Sequence, residues 1–76
     1  MMIAKTMTNK DISTRVRERI KAIRLKKQLS QGDIARTLGV HPAYISQIER
    51  GERNPTLKNI EKIAKAMGIS VDKLLK

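Results

Sequence analysis

The stretch Gln31-Gly32-Asp33-Ile34-Ala35-Arg36-Thr37-Leu38-Gly39-Val40-His41-Pro42-Ala43-Tyr44-Ile45-Ser46-Gln47-Ile48-Glu49-Arg50 decides the fold. Ser30, just before it, stands three residues ahead of Asp33, the spacing of a capping box with Asp in place of the usual Glu. A short helix is therefore expected from Gln31 to Leu38, with Ile34, Ala35 and Leu38 inward. Gly39 follows, where a helix ends in a left-handed residue that glycine adopts without strain. Pro42 disfavours helical geometry at His41, which makes His41 an expected N-cap and Pro42 the first residue of the next helix. That helix runs to about Arg50 with Ile45 and Ile48 inward. Ala35 must be small where the two helices cross. Ile45, ten residues later, plugs the angle between them, and Val40 packs inward from the turn.

Working outward, the same punctuation repeats. Upstream, Ile12, Val16, Ile20, Ile23 and the stem of Lys27 fall at helical spacing, so a helix is expected over about 12–27, capped by Ser13 or Asp11. Residues 1–10 show no period, and 1–11 is read as a flexible basic N-terminal arm ahead of a domain spanning 12–76. Downstream, Gly51 closes the helix that Pro42 opens, and Asn54 and Pro55 form a loop. Thr56 caps a fourth helix whose inward face is Leu57, Ile60, Ile63, Ala64 and Met67, closed by Gly68. Ser70 caps a last one holding Val71, Leu74 and Leu75. No segment alternates with period two, so the expected fold class is all-α, five short helices and no sheet. Two of those helices, joined by a short glycine-containing turn, fit the description of a helix-turn-helix.

Composition narrows the function. The chain has 76 residues, enough for one small domain with a thin core. Lys and Arg number 17 against 7 Asp and Glu, a net charge of +10, which points to a polyanionic partner. There is no Cys, and His41 is the only His. Disulfides, zinc fingers, multi-His metal sites and Cys nucleophiles are thereby excluded. Tyr44 is the only aromatic, which argues against a sheet that stacks unpaired bases and toward duplex nucleic acid. No apolar run approaches a membrane span or a signal-peptide core, so a cytoplasmic location is expected. Most of the seven acids suit caps or helix faces, and no paired carboxylates, nucleophile–base pair or phosphate loop appears. Neither an enzyme nor a cofactor, a metal or a small-molecule ligand is expected. Residues 1–38 carry +7 and the remainder +3, so most of the charge lies away from the Pro42 helix and supplies general attraction to phosphate.

Leu29-Ser30-Gln31, Leu38-Gly39-Val40 and Tyr44-Ile45-Ser46-Gln47-Ile48-Glu49-Arg50-Gly51 resemble the phage Cro/C1-type (Xre) helix-turn-helix repressor family. Asn54-Pro55-Thr56-Leu57 and Ile63-Ala64-Lys65-Ala66-Met67-Gly68-Ile69 continue the resemblance, which covers about Val16 to Leu75. The Tyr-Ile-Ser segment is also similar to the small controller proteins of restriction-modification systems. The resemblance implies a compact five-helix lambda-repressor-like domain that binds duplex DNA, usually as a dimer. Its third helix would enter the major groove with its N-terminal residues toward the bases.

Site residues follow from that placement. Gln47 is expected to read a base, since a Gln amide pairs with adenine through two hydrogen bonds. Ala43 can offer its methyl to a thymine methyl. Tyr44 is expected to contact a base or phosphate through its hydroxyl, with packing at the core edge as the alternative. Pro42 has no donor and departs from members with a polar residue there. Phosphate contacts are expected from Gln31, His41, Ser46, Arg50, Arg53 and Asn54, with Gln31 at a helix N-terminus whose free N–H groups suit an anion. In the family, the residue matching Gln31 also braces the reading helix. The residues matching Arg24 and Glu49 form a partly buried ion pair, a structural role. Gln28 stands where the family often has Gly, so the first helix is expected to end differently here.

A two-fold dimer would space the reading helices by ~34 Å. Val71 and Leu75 are the expected interface, with Ile69 and Leu74 assigned to the core. The reading is a sequence-specific transcriptional regulator, a repressor or autoregulator acting on a palindromic operator. The alternative is an antitoxin or protein-interaction adaptor of the same fold.

Overall fold

A computed structural model describes the backbone of residues 2–76 and the side chains of 12–76. Five helices follow in order: α1 Met2–Lys26, α2 Gln31–Leu38, α3 Pro42–Glu49, α4 Leu57–Ala66 and α5 Asp72–Leu75. No strand occurs among the described residues.

The caps of the central pair are made by the residues whose chemistry demands them. Ser30 Oγ accepts from the Asp33 N–H at 2.9 Å, and the Asp33 carboxylate accepts from the Ser30 N–H at 2.8 Å, closing the box at the start of α2. At its end Gly39 takes φ 77°, and its N–H reaches the carbonyls of Ala35 and Arg36. A side chain there would meet nothing within 4 Å, so the conformation and not crowding selects glycine. His41 caps α3, with Nδ1 accepting from the Ala43 N–H at 3.1 Å, and Pro42 sits in its first turn. Thr56 Oγ1 caps α4 by accepting from the Asn59 N–H at 3.1 Å.

Packing converts these short elements into a domain. α2 lies against α3 and α4, while α1 crosses α3 and lies against α5. The core is Val16 and Ile20 from α1, Ile34 and Ala35 from α2, Ile45 and Ile48 from α3, Ile63 and Ala64 from α4, with Met67 and Leu74. Ala35 and Ile45 are both fully buried, and Val40 packs against the same cluster. Each fully buried Ile or Leu contributes roughly 1.5–3 kcal/mol of transfer free energy, which short helices need because they are marginal alone.

Several details differ from the sequence reading. Helical backbone continues through the stretch expected as an arm, since no Gly or Pro interrupts residues 2–26. Ser13 and Asp11 are therefore interior residues of α1 rather than caps; the arm's side chains lie outside the described residues. Ile12 and Lys27 are exposed, and the inward line of α1 is Val16, Ile20 and Arg24, at i, i+4 and i+8. Leu57 is 62% exposed, because the inward stripe of α4 begins one turn later at Ile60. α5 begins at Asp72 with Val71 at its cap position and no side-chain cap bond, so the hydroxyl of Ser70 does not start it.

Gln28 is the most informative departure. It adopts φ 60° itself. Its N–H reaches the Leu25 carbonyl at 3.0 Å, and the Leu29 N–H reaches the Arg24 carbonyl at 3.0 Å. These two bonds form a Schellman closure, so α1 ends as though glycine were present.

Candidate nucleic-acid interface

The Pro42 helix is held from behind by a polar clamp. Glu49 faces inward from its last turn, with a side chain only 3% exposed. Arg24 grips it through two bonds, Nε to Oε2 at 2.7 Å and Nη2 to Oε1 at 3.0 Å. Gln31 Nε2 donates to the same Oε1 at 2.9 Å. Arg24 Nη1 donates to the Leu29 carbonyl at 3.0 Å, which ties the end of α1 to the start of α2. Three helices thus meet on one carboxylate. No buried side-chain N or O among the described residues lacks a partner, the condition under which a buried charge is tolerable. Gln31 braces α3 through Glu49, and its amide is half-buried in doing so.

The opposite side of α3 faces outward. His41, Pro42, Ala43 and Arg50 are exposed, and Tyr44, Ser46 and Gln47 are half-exposed. Ser46 Oγ donates to the Ala43 carbonyl at 3.1 Å and accepts from Arg50 Nη1 at 3.2 Å. Arg50 is further engaged by Glu52 through a fork of 2.8 and 3.0 Å. The hydrogen bonds from Arg50 hold the Glu52 carboxyl below its usual range, and the same contact raises the guanidinium. A phosphate at Arg50 would have to displace or share that carboxylate. Arg53 and Asn54, in the loop after α3, are exposed.

Tyr44 does not project freely. Its ring packs against the core cluster, and its hydroxyl accepts from Asn59 Nδ2 at 2.6 Å. The Arg53 guanidinium lies over the ring, 5.4 Å from its centroid, while Arg53 Nε donates to Gln47 Oε1 at 3.1 Å. The expected contact of Tyr44 with DNA is thereby narrowed to its one remaining hydroxyl proton, and the core-edge alternative describes the ring. The sequence alone assigns no site role to Asn59 or Glu52. Nothing local marks Asn59, which meets Tyr44 across 15 residues of chain. Glu52 lies two residues from Arg50, and that proximity was a usable signal. Val71 and Leu75 are half-buried at the edge of the core, and Leu74 is fully inside it.

Residues 20–74 match the family model described as helix-turn-helix, more than half of the chain and inclusive of every element of the clamp and of α3. The chain belongs to the Cro/C1-type helix-turn-helix family. Among curated relatives it is similar to control protein C.BamHI of Bacillus amyloliquefaciens, 48% identical over 59 residues, covering 76% of this chain and 73% of that one. Its fold is similar to the restriction-modification controller protein C.AhdI of Aeromonas hydrophila, with TM-score 0.76, 35% identity, and 82% of this chain and 94% of that one covered. It is also similar to controller protein C.Esp1396I in a tetramer bound to its natural 35 base-pair operator, with TM-score 0.73, 36% identity and coverage of 86% and 96%. Helix-turn-helix membership accounts for the conjunction of Ala35, Gly39 and Ile45 in the central pair. No helix among the described residues is long and apolar enough to cross a membrane.

Proposed function

We propose that this chain is a sequence-specific regulator of transcription that binds a palindromic operator as a homodimer, with α3 in the major groove. The observation that carries the reading is the two-sidedness of α3. Its inner face is locked by Arg24, Glu49 and Gln31, and its outer face presents Ala43, Ser46, Gln47 and Arg50 with no covering element. A braced helix with an outward polar face, on a chain of net charge +10, is suited to a groove lined by phosphates. The controller protein C.Esp1396I, of the same fold, is seen on its operator, which supports the placement.

In this reading Ala43, Gln47 and the Tyr44 hydroxyl face base edges. Gln31, His41, Ser46, Arg50, Arg53 and Asn54 flank them toward the backbone. Val71 and Leu75 supply the two-fold contact from the last turn and α5. The function is binding rather than catalysis, exercised in the compartment that holds the DNA. Selection of bound sequences from random duplex DNA at moderate salt tests the reading. An enriched palindrome whose half-sites lie about 10 base pairs apart is expected. No enriched sequence would overturn it.

A further inference from the structure

We propose that Arg53 is a specificity-determining residue: it fixes the amide of Gln47 with its NH2 group outward, and so sets α3 to read guanine in preference to adenine. The inference rests on the DNA-reading proposal and deepens it. A Gln side chain alone is ambivalent, because its amide carries both an acceptor and a donor and can turn by half a revolution to present either. In this structure that freedom is removed. A guanidinium has only donors, so the atom facing Arg53 Nε at 3.1 Å must be the carbonyl Oε1 of Gln47. The Nε2 donors are then left for the groove.

Arg53 is itself held in place. Its guanidinium lies over the Tyr44 ring at 5.4 Å, a cation–π contact, and Tyr44 is pinned to α4 by Asn59 at 2.6 Å. The contacts from Asn59 through Tyr44 and Arg53 to Gln47 therefore run from α4 to the groove-facing amide.

The consequence for readout is chemical. Adenine offers the major groove an acceptor at N7 beside a donor at N6, and a Gln matches it with carbonyl and NH2 together. Guanine offers two acceptors, N7 and O6. With Oε1 engaged by a cation, one lone pair is used, and the positive charge beside it repels the adenine amino group. The NH2 group and the nearby guanidinium both favour guanine's acceptor edge. The adenine pairing expected from Gln47 in isolation is thus redirected by a residue six positions away.

The test is selection from random duplex DNA with wild-type protein, Gln47→Ala and Arg53→Ala, each checked for an unchanged thermal midpoint. The two altered side chains lie on the surface side of α3 and its following loop, so folding is not at stake. Wild-type protein is expected to enrich guanine at one position of each half-site, by about tenfold over adenine. Gln47→Ala loses the preference at that position alone. Arg53→Ala shifts the same position toward adenine and leaves the other positions as they were. An Arg53→Ala profile identical to wild type, with affinity lowered equally on every duplex, would show a phosphate contact only and overturn the inference. A wild-type preference for adenine at the position that Gln47→Ala abolishes would overturn it as well. Failure of wild-type protein to enrich any sequence would instead remove the regulator reading on which it stands.

Discussion

At the scale of single residues, Gln28 shows where local sequence and tertiary demand disagree. A left-handed conformation costs a non-glycine residue about 1–2 kcal/mol, and here the Schellman closure and the bond from Arg24 to the Leu29 carbonyl impose it. Gln28→Gly is expected to raise stability by about 1 kcal/mol, read as a shift in urea midpoint at constant m. An unchanged or lower midpoint would refute the strain. Asp33 offers a second check at this scale. Hydrogen bonds from the Ser30 N–H and hydroxyl, aided by Arg36, hold its carboxyl below the usual aspartate range. A carboxyl with a depressed folded pKa stabilises above its unfolded value, and the gain is lost as pH falls through the folded one. Wild-type protein should therefore exceed Asp33→Asn in urea midpoint at neutral pH, and the gap should close below about pH 4. A gap independent of pH would contradict the cap. Ser30, Gly39, His41 and Pro42 were legible in the sequence because each cap is a bargain among neighbours within three residues. The end of α1 at Gln28 is not legible locally, because its conformation is set by Leu29 and Arg24 in the folded chain.

At the scale of elements, the clamp on Glu49 decides how rigidly α3 is presented. Its partners lie 25 and 18 residues away, so nothing in local pattern could reveal it. The resemblance to known repressors did so for Arg24 and Glu49. Removal of one partner strands the other charge, and Arg24→Met is expected to cost about 3–5 kcal/mol. Arg24→Met with Glu49→Leu should be milder than the sum of the two single changes, since no charge is left buried. A double-mutant cycle in urea with less than about 1 kcal/mol of coupling would refute the clamp. The contact of Tyr44 with Asn59 is equally invisible locally, and it favours the core-edge alternative for the one aromatic ring. The departures at Ile12 and Leu57 share one cause: periodicity marks an apolar stripe, but not where along it the neighbouring helix stops; Ser70 differs because α5 starts one residue later than its capping chemistry suggests.

At the scale of the whole molecule, charge and shape separate two tasks. Most of the net positive charge comes from residues 1–38, while the outer face of α3 carries Arg50 already paired with Glu52. Under the proposed function, general attraction to the polyanion comes largely from residues 1–38, while base recognition is assigned to α3. Log affinity should fall with log salt with a slope of about −0.9 per phosphate engaged, on operator and unrelated duplex alike. Recognition should survive as a ratio between them. The measurement that tests this most directly is titration of the wild-type protein against its selected palindrome and a scrambled duplex of the same composition, at one salt concentration. The account predicts affinity for the palindrome at least ~10³-fold tighter. Equal affinity for the two duplexes would contradict it, and would leave the basic charge as the sole basis of binding.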